Sequence, residues 1–307
     1  MTPAIIVVGS LNADLVVRVP RFPVPGETIS GDGFTVAPGG KGANQACAAG
    51  RLGGSVGMVG QVGADAQGAM LRESLERASV DVSLVASDEA APTGVALITV
   101  DARGENEIVL AAGANGTFTP DRLTRAMPAI RRAQVVLLQL EIPMETVLRV
   151  ATDARAGGAI VILDPAPAVP VPDQLLAMAD YVTPNEHELA RLAGAPDEDA
   201  RPSTDRIDHL ARLLLARGGR RVLTKLGDRG SRLVTEGQVT AWPAIPVTPI
   251  DTTAAGDAFN GALAVALAEG RTLDAAVRFA TAAAAISVTR RGAQPSLPSR
   301  ADVEALL

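Results

Sequence analysis

Asp251-Thr-Thr-Ala-Ala-Gly256-Asp257-Ala-Phe-Asn260-Gly261 sets a carboxylate among small residues where an apolar helix should begin. Upstream, Trp242 to Ile250 is broken by three prolines; downstream, Ala262 to Ala268 is apolar and helix-prone. A helix starting here would present the free N–H groups of Ala255, Gly256 and Asp257 at the positive end of its dipole, a setting that suits an anion. Asp257 would stand beside that anion with a carboxylate able to accept a proton from an attacking hydroxyl. This is equipment for phosphoryl transfer to an alcohol. The same residues also suit an N-capped helix after a glycine turn, with Asp as the cap.

Other polar groups invite the same two-sided reading. Pro38-Gly39-Gly40-Lys41-Gly42-Ala43-Asn44-Gln45 is a second glycine cluster, but its spacing fits neither a Walker A loop nor a dinucleotide fingerprint. It either brings backbone amides, Lys41 and Asn44 against a polyhydroxylated ligand, or makes a tight turn with a surface lysine. Asn12 and Asp14 follow the apolar run Ile5–Val8, where they would grip hydroxyls or simply form a turn. Glu141 ends the run Val135–Leu140 and must be solvated or engaged. Asn185 and Glu188 share a helix face and serve either phosphate and a magnesium-bound water or a capping box. Leu226-Gly227-Asp228-Arg229-Gly230 is a turn that can carry nucleotide. Of the 28 basic residues only Lys41 and Lys225 are lysines, which singles them out for inspection.

The elements that must position these groups alternate along the chain. Runs at Ile5–Val8, Val56–Val59, Val135–Leu140, Ile160–Leu163 and Val222–Thr224 alternate with helical patterns near Ala43–Leu52, Gln67–Ala78, Met144–Ala156 and Ile207–Arg217. Such alternation predicts one α/β domain over residues 1–307, its central mostly parallel sheet covered by helices on both faces, with ligands at the carboxyl ends of the strands. Residues 11–38 hold no helix, and 92–111 reads as two strands around a turn at 101–106. Together they predict a small β-sheet lid. Both faces of Val95–Val100 are largely apolar, so one face would cover ligand and the other a second subunit.

Composition excludes several function classes. A net charge of −6 and 2% aromatics argue against nucleic acid as a partner, and no stretch reaches the roughly 18 apolar residues a membrane helix needs. Met1 to Ser10 lacks a basic leader, so a cytoplasmic location is expected. The single Cys47 excludes an internal disulfide, and two histidines leave little for a triad or a histidine metal site.

Gly9–Asp14, Pro25–Thr28, Gly39–Gln45, Thr93–Leu97, Ala111–Asn115, Gln139–Glu141, Thr183–Glu186, Asp251–Asn260 and Val288–Ser296, in this order and spacing, resemble the ribokinase family of sugar kinases across essentially the whole chain. The resemblance implies a ribokinase-like, Rossmann-type fold and ATP-dependent phosphorylation of D-ribose to D-ribose 5-phosphate, in a homodimer paired through the lid. It implies that Asn12, Asp14, Gly40, Lys41, Asn44 and Glu141 hold the sugar, that Asp257 is the base, and that the amides of Ala254, Ala255 and Gly256 form the anion hole. Nucleotide would meet Asn185, Lys225, Leu226, Gly227, Asp228, Arg229, Gly230, Gly256 and Thr281. Glu188 would help hold magnesium through water, and Asp251, Thr253, Ser287, Arg290, Gly292 and Ser296 would surround potassium, mostly through carbonyls. Asp164, Lys225 and Thr281 depart from the usual pattern, which has Asn, a small hydroxyl residue, and His or Asn there; these departures fall on the donor side. The competing readings are a kinase of 2-deoxyribose, another pentose or a nucleoside, and a non-catalytic sugar-binding regulator.

Overall fold

The first strand, β1 (Ile5–Val8), has no exposed face. Alternate side chains of a strand point to opposite sides, so Ile5 and Val7 enter one apolar cluster while Ile6 and Val8 enter another. The computed structural model describes residues 3–196 and 201–307. After β1 come β2 (Asn12–Arg18), β3 (Asp32–Gly39), α1 (Lys41–Arg51), β4 (Val56–Gly63), α2 (Ala66–Arg77) and β5 (Val80–Asp88). A hairpin of β6 (Gly94–Val100) and β7 (Asn106–Ala111) leads to α3 (Met127–Ile130), β8 (Val135–Leu138), α4 (Met144–Ala156), β9 (Ile160–Leu163), α5 (Asp173–Met178), β10 (Tyr181–Val182), α6 (Glu186–Leu192), α7 (Thr204–Ala216) and β11 (Val222–Lys225). The chain closes with β12 (Ser231–Val234), β13 (Val239–Trp242), α8 (Ala255–Ala268), α9 (Leu273–Ser287) and α10 (Arg300–Leu306).

The main sheet has nine strands in the order β13-β12-β11-β10-β9-β8-β1-β4-β5. It is parallel from β11 through β5, and only β12 and β13 run antiparallel at one edge. One face packs against α1, α8 and α9, whose alanines and Phe279 are buried; the other packs against α4, α5, α6 and α7. Burial on both faces explains why these strands read as continuous apolar runs.

The small sheet expected from residues 11–38 and 92–111 is present as a separate four-stranded sheet, ordered β3-β2-β6-β7. Element boundaries differ in ways that matter. Asn12 and Asp14 do not sit in a turn after β1; they are the first and third residues of the lid strand β2, paired with both β3 and β6. The helix expected from Ala43 starts at Lys41, because Gly40 adopts a positive φ of 89° that an L-residue rarely takes and turns the chain straight from β3 into α1. Strand β8 ends at Leu138, so Glu141 lies beyond it rather than at its end.

Candidate active site

The loop before α8 carries the chain into the helix through Ala254, a non-glycine residue in the left-handed region at φ 59°. Such a conformation costs on the order of 1 kcal/mol and persists only where its surroundings enforce it. Ala254, not Asp257, is the N-cap, and it makes no side-chain capping bond. Asp257 is the third residue of the helix, which removes the reading of this carboxylate as a mere cap. The Ala255 amide donates to Thr252 O at 3.3 Å. The amides of Ala254, Gly256 and Asp257 donate to no carbonyl among the described residues, so of the residues expected to offer free amides only Ala255 is engaged.

Asp257 is buried and its two oxygens are separately engaged: Asn44 Nδ2 donates to Oδ2 and Gln45 Nε2 to Oδ1, both at 3.0 Å. These amides reach it because α1 and α8 approach very closely. A Cβ added at Gly261 would lie 2.6 Å from Ala48 Cβ and 2.8 Å from Gln45 O, so only glycine permits this packing. Burial pushes the Asp257 carboxyl up to about 6, with the charge of Asp164 adding to the rise; Lys41 and the two amide donors oppose it. Gln45 Nε2 also donates to Asp164 Oδ2 at 2.8 Å, and Gln139 Nε2 donates to Gln45 Oε1 at 2.6 Å. Sequence reasoning did not assign Gln45 a role. Its signal was two adjacent amides inside an otherwise alanine-rich buried helix, where unpaired polar groups would be costly.

On the lid side, Glu141 Oε2 accepts from Ser10 Oγ at 2.5 Å, from the Lys41 amide at 3.3 Å and from Asn12 Nδ2 at 3.5 Å. Asn115, another residue not singled out, donates to Asn12 Oδ1 at 2.8 Å and to Leu11 O, and so pins the start of β2. Asp14 lies among negative neighbours. Burial first, then Glu141 and Asp257, push its carboxyl up to about 7. Lys41 is held above the usual ammonium range: burial lowers it, but Asp257, Asp164, Glu141 and Glu188 together outweigh that. Asn44 Oδ1 is buried with no hydrogen-bond partner, an acceptor left open beside Asp257.

Across Asp257 from this cluster lies a cleft of about 990 Å³. Lys41, Asp164, Asn185, Glu188, Lys225 and the start of α8 form its polar end. Ile245, Val247, Pro249, Ala284, Ala285 and Val288 supply its apolar lining, to which Thr281 also belongs. Both of the chain's lysines therefore face one cavity. Asn185 and Glu188 do make a capping box at α6, with Asn185 Oδ1 accepting from the Glu188 amide at 2.8 Å and Glu188 Oε2 from the Asn185 amide at 2.7 Å. The structural and functional readings of that pair coexist, because both residues also line the cleft. Of the turn after β11, Gly227, Asp228 and Gly230 face the cleft, whereas Leu226 is buried in the core and Arg229 pairs with Glu186. The Thr281 hydroxyl donates back to Val277 O within α9 at 2.8 Å.

Residues 2–300 match the pfkB family carbohydrate kinase pattern. The chain belongs to the pfkB family of carbohydrate kinases. This pfkB kinase is 41% identical to the ribokinase of Bacillus subtilis, over 99% of each chain. It is 36% identical to the deoxyribokinase of Salmonella typhimurium, covering 96% of this chain and 95% of that one. Its fold superposes on an Arabidopsis thaliana ribokinase solved with ribose and ATP, with a TM-score of 0.93, 38% identity, and coverage of 100% and 99%. In the pfkB kinase the cleft and the lid-side cluster meet at Asp257, as transfer between two bound substrates requires.

The remaining residues expected at metals are placed as follows. Asp251 Oδ1 accepts from the Thr253 amide at 2.9 Å and Oδ2 from the Gly292 amide at 2.8 Å, which joins the loop before α8 to the segment after α9. Ser287 Oγ and Ser296 Oγ each donate to a nearby carbonyl, and the Arg290 side chain pairs outward with Asp302. Those side chains are turned to local partners, which leaves backbone carbonyls as the available donors for a large, weakly hydrated cation. Glu188 is a half-buried carboxylate whose pKa is raised by desolvation first and then by Asp164, against Lys225, the Asn185 amide and Lys41. Among the described residues no three His, Cys, Asp or Glu side chains cluster as a metal cage. A carboxylate on the cleft wall without a full protein cage suits magnesium that keeps most of its waters. No helix among the described residues is long and apolar enough to cross a membrane.

Proposed function

We propose that this kinase transfers the γ-phosphoryl group of ATP to the 5-hydroxyl of D-ribose, giving ADP and D-ribose 5-phosphate. The observation that carries this reading is Asp257: a buried carboxylate with a raised pKa, at the junction of a hydroxyl-gripping cluster and a cleft large enough for a nucleotide. The lid-side groups Asn12, Asp14, Gly40, Lys41, Asn44 and Glu141 supply the donors and acceptors that several adjacent hydroxyls need. Likeness to ribokinases over the full length supports ribose as the acceptor.

The hydroxyl oxygen attacks the γ-phosphorus, and its proton passes to Asp257 as the new P–O bond forms. The bond from phosphorus to the bridging oxygen breaks, and its electron pair leaves on ADP. A loose phosphoryl transition state needs alignment and charge stabilisation more than a strong base, so a carboxylate titrating near 6 is sufficient. The free amides at the start of α8 meet the equatorial phosphoryl oxygens. Asn185 and the 227–230 turn take the nucleotide sugar and its α- and β-phosphates, Lys225 over Gly256 takes the γ-phosphoryl end, and the apolar wall with Thr281 takes the base. Glu188 would help hold Mg2+, which would supply charge neutralisation to the phosphates, and the Asp251–Thr253 and 287–296 segments would hold K+ and so stiffen the loop that presents those amides.

The chain acts as one cytoplasmic α/β domain whose lid, about 11–38 and 92–111, closes over the sugar and pairs with a second copy. The exposed Phe34, Val36, Leu97 and Ile108–Leu110 of the lid sheet support a homodimer there. The decisive test is ADP release with ribose, 2-deoxyribose, other pentoses and nucleosides, each with and without potassium and magnesium. Turnover fastest with ribose is expected; sugar-independent ADP release, or none with any pentose, overturns the assignment.

A further inference from the structure

Lys225 ends β11 beside Asn185, with its side chain 14% exposed. Its Nζ donates to Asp164 Oδ1 at 2.8 Å. Asp164 follows β9 and is 2% exposed, while its other oxygen accepts from Gln45, the amide that also donates to Asp257. A Cβ added at Gly256 would lie 3.2 Å from Lys225 Nζ, so the ammonium sits directly over the first turn of α8. An ammonium has three N–H donors, and Asp164 uses one. The others lie beside the turn that carries the free amides of Gly256 and Asp257.

Charge gives the arrangement its purpose. Asp164, Asp257 and Glu188 face the cleft, and without a counter-charge they would repel a polyphosphate. We propose that Lys225 is a catalytic residue that grips the phosphoryl group in transfer, and that Asp164 is the positioning residue that aims it. The proposal rests on the kinase reading of this site. Lys225 adds a fixed positive charge on the side of the phosphoryl group away from the sugar, and stabilises negative charge as the bond to ADP breaks. Asp164 sets the rotamer of Lys225 and, through Gln45, ties that position to the base. An ammonium that lost Asp164 would turn toward Asp257 or Glu188, the other carboxylates whose charge it feels.

Steady-state rates with ribose and ATP, calorimetric ADP binding and thermal melts on Lys225→Met, Asp164→Asn and the double variant separate this role from a structural salt bridge. Lys225→Met is expected to lower kcat about 100-fold while the ADP Kd moves less than about three-fold, since a contact made to the transferring group is absent from ADP. Asp164→Asn should cost about 10-fold in kcat, and the double variant no more than Lys225→Met alone, because Asp164 acts through the lysine. A kcat for Lys225→Met within about three-fold of wild type, equal losses in kcat and ADP affinity, or losses that multiply in the double variant would each overturn the proposal. If Lys225→Met gives no cooperative melt, Asp164→Asn decides alone: unchanged kcat sinks the positioning role. Wild-type protein that turns over no pentose removes the kinase reading; a wild type that does, alongside an equally active Lys225→Met, removes only this proposal.

Discussion

The two sheets of the molecule use similar apolar residues and end in opposite states. In the main sheet β1 and β8 are buried along their whole length, and their carboxyl ends lead to Ser10, Gln139 and Glu141. In the lid sheet β7 is exposed at every residue although it contains Ile108, Val109 and Leu110. On the proposed function the difference is a division of labour: Asp257 is anchored by helices packed on the main sheet, while Asn12 and Asp14, proposed to grip the sugar, belong to a sheet with far more exposed apolar surface.

The sharpest way to break this comparison is Asp257→Asn: kcat should fall by about 10³-fold or more while ribose binding by calorimetry stays nearly unchanged. A milder residual rate would mean the rigid side supplies alignment only. Asn12→Ala attacks the lid side instead; it should raise the ribose KM by about 10- to 100-fold and leave the ADP Kd alone, as expected for losing a hydrogen bond to a bound hydroxyl. Acid should separate the sides by pH. As pH falls, log kcat/KM should bend near 7 as Asp14 takes up a proton, and again near 6 as Asp257 does. Asp14→Asn should abolish the upper bend only; a single unchanged bend in that variant would reassign the group. Leu110→Lys should leave the main sheet intact but halve the mass seen by light scattering and raise the ribose KM about threefold. An unshifted mass would remove the lid as the dimer face.

The smallest effect is on stability. A carboxyl whose folded pKa is raised from 3.8 to about 6 penalises folding fully above pH about 6, and the penalty disappears below the unfolded value near 4. Asp257→Asn should therefore melt above wild type at pH about 8 and lose that margin at pH about 4. A margin independent of pH would assign it to packing.

Much of this was legible from residue types. The parallel architecture, the segments of the small sheet, the carboxylate near a helix start and both lysines were identifiable because apolar period, glycine placement and scarcity of lysine are local properties of a chain. The errors were also local in origin. Asn12 and Asp14 could be read locally as either a hydroxyl-gripping pair or a turn, because β-strand membership depends on partners more than 20 residues away, at Gly39, Ala37, Gly94 and Ala96. Leu226 and Arg229 were expected at nucleotide because they share a turn with Gly227 and Gly230, yet one faces the core and the other Glu186.

By itself, the sequence determined which atoms are available: a carboxylate near a helix start, two lysines, open glycines, and strands apolar on both faces. Tertiary structure alone decided that Asp257 is the third residue of α8 rather than its cap, since that depends on Ala254 being forced into a left-handed turn. It also decided that Gln45 joins Asp257 to Asp164 and that Lys225 reaches over Gly256. Those relations are set by the close approach of α1 to α8 and of β9 to β11 across β10, distances between segments far apart in the chain that no local pattern encodes.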